Sequence, residues 1–586
     1  MQDIAVQFEK HCWIHSVSLF PPQVHVGRSP LKIIYFLKGI TNWMFNLKKL
    51  KFWAKSSRAN NEKISLNELI WIGFNYTCGI AFPMALIGIY YWNNGGVGLH
   101  MLWVILLCAL IAAGTALAFT KCSRVYHDTN GGAYVYVRGV FGRFWGWIIG
   151  FIQYITLPST IIVTIISMFR VNLDQLLIFD WAPERWSSLI IDSIGIFIYA
   201  AVASCMYFGM KGFRWFVNIS GIIKWGSALF LIVCAIILVV TNKGLAFSEA
   251  AEGTKNINLT LPKINNAFSG FFYFFIGFET FIVVGKNVKN PTKNFGKGIL
   301  IVLLLSTIFY LAVSVLIFGA ITIDGTNGQN GWSGATNEYN PNNVISGIAG
   351  ITGMIVLVVS TLSLKLNGAM QNSLYSGGMI QPLAKEGYIN EKLAKLNKEN
   401  IAMRASTANL IITIIACIIM LIIPDLIGAP FDFNTVLGFS TNITIAVYIF
   451  VLAATCVMGY RKQIKIKIWE WIIFVDCGLF LLSQFVFFNY GMVNDMINKR
   501  GEVLIAVIIE FLMFWMLIAI AVIWYFIYYQ PKLKIRLASN LDYQNQLDQE
   551  FIPMTEEEAI KYLLNEPETE LERIKIHENE ARSVTT

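Results

Sequence analysis

The residues best suited to hold a small charged molecule are two clusters that interrupt otherwise apolar stretches. The first is Asn75-Tyr76-Thr77-Cys78-Gly79-Ile80-Ala81-Phe82-Pro83. It lies inside a segment, 66–91, long enough to cross a bilayer. The second is Phe275-Ile276-Gly277-Phe278-Glu279-Thr280. Backbone groups freed at membrane depth survive only where protein or a watery cavity supplies partners. Two interrupted spans at matching places in two halves of a chain therefore point to a ligand site between them. At the first break, amides that open a new half-helix favour an anion such as a carboxylate. The backbones of Thr77, Cys78 and Gly79 are the candidates, and Gly79 permits close approach. The competing reading is a Gly/Pro kink filled by a neighbouring helix. At the second break, beside Gly277, the carbonyls of Tyr273, Phe274, Phe275 and Ile276 lose helical partners and can accept from an ammonium. The two breaks together would clamp a zwitterion.

Ionisable residues inside apolar spans are costly and mark function. Glu279 is the carboxylate of the second interrupted span. It can orient the broken backbone or exchange a proton, and the structural role is the plainer of the two. Lys224 lies about ten residues past Arg214, or ~15 Å along a helix. That is too deep to snorkel comfortably, and a buried ammonium can release its proton. A span boundary set differently would leave Lys224 at the interface instead. Lys365 depends on register. In a span over 344–372 it lies near the cytoplasmic end and anchors that end; in a span running on toward Met379 it would be buried near the ligand and could select acidic side chains. The anchor is the reading adopted. Gln153, Asn442 and Tyr448 are further candidates for a pocket. No His lies in a span core, so a His relay is not expected.

The elements that must position these groups are membrane helices. The chain has 586 residues, 56% hydrophobic and 14% charged, with a mean hydropathy of +0.57. A soluble chain of this size would divide into domains with more surface charge. The apolar residues come in blocks of about 20, enough to cross ~30 Å of hydrocarbon. Twelve spans are expected, over 66–91, 101–119, 144–168, 188–208, 215–241, 267–285, 298–320, 344–372, 405–424, 434–459, 469–489 and 503–528. The fold class is an all-α polytopic membrane protein. Residues 63–530 form the membrane domain, 1–62 a basic leader and 531–586 a charged tail, partly helical. The leader's mixture of aromatic residues and lysines suits an interfacial helix or a disordered segment. Its His11, Cys12 and His15 lack a fourth ligand, so no metal is expected.

The net charge of +9 reads as topology rather than nucleic-acid binding, for which a basic face on a folded soluble domain is needed. Alternate loops carry the basic residues: Lys121, Arg124, Arg138 and Arg143; Lys211 and Arg214; Lys286, Lys289, Lys293 and Lys297; Lys385 to Arg404; and Arg461 to Lys467. These are the cytoplasmic loops, which puts both termini in the cytoplasm of a multi-pass cell-membrane protein. Nine cysteines lie mostly in spans, with Cys122 in a basic loop and Cys12 in the leader, so no structural disulfide is expected. No signal peptide is expected either.

Four motifs resemble the amino acid–polyamine–organocation (APC) superfamily of amino acid permeases. Thr77-Cys78-Gly79-Ile80 with Pro83 looks like the family's Gly-Ser-Gly-Ile/Val break. Gly131-Gly132-Ala133-Tyr134-Val135-Tyr136-Val137-Arg138, with Phe141-Gly142, is close to its Gly-Gly-Ala/Ser-Tyr-x-Tyr loop. Phe275-Ile276-Gly277-Phe278-Glu279 with Lys289-Asn290-Pro291 is similar to its sixth span and Lys-Asn-Pro exit. Ala384-Lys385-Glu386-Gly387-Tyr388-Ile389 is a weaker fourth match. Two departures stand out: Thr77-Cys78 replaces Gly-Ser, and Asn287 stands where many members carry Glu. The resemblance covers about 64–530 and implies a LeuT-type 5+5 inverted repeat with broken helices 1 and 6. It implies that Tyr273 occupies the position of an aromatic gate. It also implies that Lys224 stands where sodium-coupled relatives hold the ion.

The implied function is secondary active transport of amino acids by alternating access, of the sodium-independent kind. Proton-coupled symport and amino acid exchange (antiport) stay open within it. The partners would be an amino acid, membrane lipid and protons, with no cofactor and no nucleic acid. The other class is a sensor or transporter subunit that binds solute without moving it. An intramembrane enzyme would need clustered catalytic side chains, and the spans carry none.

Overall fold

The computed structural model describes residues 64–79, 96–126, 130–166, 184–241, 243–255, 257–283, 288–320, 341–397, 401–427, 433–498 and 502–539. The leader, most of the tail, the second half of the first span and Asn287 lie outside them. The described chain is helical apart from an isolated parallel bridge between Ile64 and Val288. In chain order the helices are α1 (Leu66–Thr77), α2 (Met101–Val125), α3 (Ala133–Phe141), α4 (Arg143–Ile165), α5 (Glu184–Ser204), α6 (Gly209–Thr241), α7 (Leu245–Lys255), α8 (Leu261–Phe272) and α9 (Thr280–Val283). There follow α10 (Pro291–Ala320), α11 (Pro341–Glu386), α12 (Met403–Cys417), α13 (Ile423–Ile427), α14 (Phe433–Tyr460), α15 (Ile468–Asn498), α16 (Glu502–Trp524) and α17 (Gln530–Ser539).

Among the described residues, eight helical segments are long and apolar enough to cross a membrane. One of them, Trp186–Thr241, runs through both α5 and α6, which were expected as separate spans. The helices at the two interrupted segments, α1 and α8, have 12 residues each, too few to span alone. The chain is a polytopic helical membrane protein.

Helix α6 illustrates how the sequence sorts lipid from protein. Its buried residues are Phe213, Val217, Ser220, Gly221, Lys224, Ala228, Leu231 and Ala235, spaced at three and four along one face. Trp215, Ile219, Ile222, Ile223 and Phe230 are exposed on the other sides, an apolar surface suited to acyl chains. Lys224 therefore sits on the narrow protein-facing stripe. Gly221, one turn earlier, lets α1 approach: a β-carbon there would lie 2.8 Å from Asn75 Nδ2. In packing, α6 runs along α11 and α14 along α4. Helix α10 packs on both α1 and α2, and α2 also receives α8.

Several expectations need correction. The eighth span does not end at 372; α11 continues to Glu386. Lys365 is consequently far from its end and is 4% exposed, so it is not an interfacial anchor. Cys122 is not in a loop; it is buried in the last turns of α2 and shares a hydrogen bond with Thr455 Oγ1 at 3.2 Å. Arg138 and Arg143 are not simple loop charges. Glu386 is 2% exposed, and its carboxylate takes Arg138 Nε at 2.7 Å and Arg143 Nε at 3.4 Å. It also accepts from the Tyr134 hydroxyl. The Gly-Gly-Ala-Tyr and Ala-Lys-Glu-Gly-Tyr motifs are thus two halves of one buried ionic cluster. Helix α7 lies in a stretch where no element was expected. The eight described cysteines are free thiols.

Helix α17, which leads into the tail, docks on the turn after α11. Lys532 Nζ lies 3.2 Å from Glu391 Oε1, and Arg536 bonds the same carboxylate. Burial pushes the Glu391 carboxyl up, but hydrogen bonds from Arg536 and Lys532 overcome it and hold the group below its usual range. A depressed carboxylate contributes docking above its unfolded pKa and loses it as pH falls through the folded value. The protection of the α17 amides, measured as hydrogen exchange relative to the intrinsic rate at each pH, should therefore fall as pH falls from 7 through about 4. Glu391→Gln should show lowered protection already at pH 7 and little further change.

Candidate functional site

Helix α1 begins with a local cap: the Ser65 side chain accepts from the Glu68 amide at 3.4 Å, and Glu68 pairs with Arg214 Nε at 2.6 Å. It ends abruptly. Thr77 is the last helical residue, and Cys78 turns extended at φ −105, ψ 135. The Cys78 amide still donates to Phe74 O at 3.0 Å. What this end exposes is therefore carbonyls, the negative pole of the half-helix dipole. Each has a donor. Lys224 Nζ donates to Asn75 O at 3.0 Å and to Cys78 O at 2.7 Å. The Tyr310 hydroxyl of α10 donates to Thr77 O at 2.7 Å. Lys224 is 0% exposed, and its ammonium also lies 4.7 Å from the Trp225 ring centre, a cation–π distance. Trp225 in turn donates to Asn75 Oδ1 at 2.8 Å and stacks on Phe74.

Helix α8 ends at Phe272. Tyr273–Phe275 form one 3-10 turn, Ile276 is extended at φ −73, ψ 149, and Gly277 has φ 110. A positive φ of this size suits only glycine, so Gly277 is where the chain reverses out of the helix. Here too the predicted carbonyls are partly taken. Tyr273 O accepts from the Ile276 amide at 3.2 Å, and Phe274 O accepts from Tyr310 at 3.4 Å. Glu279 is 3% exposed. Its Oε2 accepts the Gly277 amide at 2.9 Å and the Tyr448 hydroxyl at 2.6 Å. These two bonds hold the turn in shape.

The two interruptions meet. A β-carbon on Gly277 would lie 2.6 Å from the Tyr76 ring and 3.8 Å from Thr77 Cγ2. Tyr310 touches carbonyls from both. The structure therefore brings together Thr77, Cys78, Lys224, Tyr273 to Gly277 and Glu279, with Gly79 against Leu364 of α11. Tyr448 belongs to this group through Glu279. The Gln153 Nε2 atom lies near Gly132 and, like both polar atoms of Asn442, has no hydrogen-bond partner.

Three contributors were not singled out from the sequence. Tyr310 sits in an apolar span that carries no other signal. Asn75 was seen as part of the break, but its role in seating Trp225 was not. Helix α11 supplies a polar strip: Asn367 Nδ2 donates to Val217 O at 3.0 Å, Gln371 Nε2 to Ile72 O at 3.2 Å, and the Tyr375 hydroxyl to Gln371 Oε1 at 2.7 Å. The signal for it was present, as Asn367, Gln371, Asn372, Ser373 and Ser376 crowd one segment.

The family model described as "Amino acid permease" matches residues 64–523. The chain belongs to the amino acid permease family. Both interruptions lie inside the match, and the family is one of membrane proteins of amino acid transport rather than of enzymes. An uncharacterized protein of Mycoplasma genitalium, MG225, is 23% identical over 426 residues, covering 69% of this chain and 82% of the relative. The MG226 homolog of Mycoplasma pneumoniae is 24% identical over 388 residues, 63% of this chain and 74% of that protein. The branched-chain amino acid permease BcaP of Bacillus subtilis is 24% identical over 238 residues, 39% of this chain and 49% of its own length.

Tyr310→Phe should leave the carbonyl of Thr77 without its buried donor, at a cost of about 1–3 kcal/mol. Thermal unfolding in detergent should shift down accordingly, while Tyr207→Phe, at an exposed hydroxyl, should not move it.

Proposed function

We propose that this permease moves amino acids across the cytoplasmic membrane by alternating access, independently of sodium. The observation that carries the proposal is the meeting of two helix interruptions beside Tyr76, Thr77 and Gly277, with Tyr310 touching carbonyls of both. One α-carbon of an amino acid bears an ammonium and a carboxylate, and such a paired set of broken helices can address both. The substrate site would comprise Thr77, Cys78, Gly79, Tyr273, Phe274, Phe275, Ile276 and Gly277. The relative named for branched-chain amino acids supports an amino acid substrate. Because the described amide of Cys78 is engaged and Lys224 and Tyr310 hold the α1 carbonyls, the anion donors at the first interruption begin at Gly79.

The architecture proposed is twelve spans in a 5+5 inverted repeat. Under the exchange of spans 1–5 with 6–10, the α6–α11 contact maps onto α14–α4, and α1–α10 maps onto α8–α2. Both members of each pair are present among the described packing, which supports the repeat. Residues 63–530 would be the transporter domain, with the 1–62 leader and 531–586 tail in the cytoplasm.

The ammonium of Lys224 bridges α1 and α6 where, by family resemblance, sodium-coupled members hold the ion. An ammonium there supports sodium-independent transport, either proton-coupled or by exchange, with Lys224 and Glu279 as the groups able to carry a proton. Uptake of labelled amino acids into proteoliposomes, with and without a pH gradient and with internal amino acid present or absent, separates these modes. Uptake is expected to be indifferent to replacing sodium by potassium. If protons are coupled through Lys224, Lys224→Ala should abolish the response to the pH gradient. Binding with no flux in any arm would instead identify a sensor, and strict sodium dependence would sink the proposal.

A further inference from the structure

The polar strip of α11 contains one amide unlike its neighbours. Asn367, Gln371 and Tyr375 direct their polar atoms to α1, to α6 or to one another. Asn372, adjacent to Gln371 and therefore about 100° round the helix, accepts the Tyr76 hydroxyl on Oδ1 at 2.5 Å. Its Nδ2 has no partner, although the residue is 1% exposed. A buried N–H without an acceptor is rare and asks for an explanation. Its location supplies one. Tyr76 is in the last turn of α1, its ring lies against Gly277 and it meets Tyr375 edge-on at 5.6 Å. Asn372 is thus tied by a single bond to the place where the two interruptions meet, and the bond at Oδ1 fixes which way Nδ2 faces.

Among the described residues, free donors are scarce at the end of α1. The described end of α1 presents oxygens, and its terminal amide at Cys78 is engaged. A substrate ammonium can only donate, and an aliphatic side chain can neither donate nor accept. The one acceptor that such an amino acid offers is its carboxylate. We propose that Asn372 Nδ2 donates to the α-carboxylate of the substrate, completing the anion side of the site from α11. This rests on the reading that the two interruptions hold an amino acid.

The test compares ligands that differ at the carboxylate alone. The probes are the amino acid that the full-length wild-type protein takes up best among the twenty, and its methyl ester, which keeps the ammonium and side chain. Each is titrated as a competitor against the labelled amino acid in proteoliposomes. In Asn372→Leu the affinity for the acid should fall about tenfold or more, as expected for one lost hydrogen bond to a charged group. The affinity for the ester should hardly change, so the preference for acid over ester shrinks. Asn372→Asp keeps an acceptor for Tyr76 and sets a carboxylate against a carboxylate, so the acid should weaken further still. Equal losses for acid and ester in Asn372→Leu would mean that Asn372 acts only by positioning Tyr76, and would overturn the proposal. So would an unchanged preference in both variants. A wild-type protein that does not discriminate acid from ester would overturn the zwitterion reading itself, and Asn372 with it.

Discussion

A lysine ammonium seated on the carbonyls at the end of a half-helix is the interaction on which this architecture depends. A helix that stops inside the membrane leaves oxygens with no water to satisfy them. Here Lys224 reaches Asn75 O and Cys78 O, so one charge answers two acceptors and also sits at the favourable end of the α1 dipole. The arrangement is mutual, since an ammonium on the buried face of α6 would itself be expensive without such partners. Neither the interruption nor the buried lysine makes physical sense without the other. Gly221 and Trp225 complete the joint, one by letting Asn75 come close and the other by covering the ammonium and holding the Asn75 side chain.

The second interruption is held differently. Its polar group is a carboxyl, and it works from within: Glu279 accepts the amide of Gly277 two residues back and anchors itself to Tyr448 on α14. One break is thus pinned through its carbonyls by a lysine from a neighbouring helix. The other is pinned through an amide by a carboxyl group of its own segment. Tyr310 links the two, and α11 backs α1 with amide side chains rather than with apolar packing. That choice explains why α11 reads as less hydrophobic than its depth would suggest.

Much of this was legible in the residues. Asn, Thr and Gly in an apolar run have no business in an uninterrupted span, and Lys224 stood a fixed distance from Arg214. Those two facts marked the break and the buried lysine separately; that the two would meet was not read from the residues. What the sequence could not say is which atoms would meet. Cys78 looked like a donor to an anion because the register of the break was unknown by one residue; its amide proves to be the last of α1. Lys365 looked peripheral because a span was cut to the usual length, whereas α11 runs for 46 residues. Arg138 and Arg143 counted correctly as basic residues near one end of the bundle, yet charge counting is blind to Glu386, a partner about 250 residues away. Tyr310 carried no signal at all, since one tyrosine among leucines and isoleucines is unremarkable by composition.

The Tyr310 hydroxyl has a single hydrogen and two oxygens within reach, Thr77 O at 2.7 Å and Phe274 O at 3.4 Å. The shorter bond takes most of it, so the hydroxyl serves chiefly the end of α1 and touches the second interruption weakly. One proton donor on α10 thus ties the two broken backbones together, and a displacement of either alters the donor that the other receives.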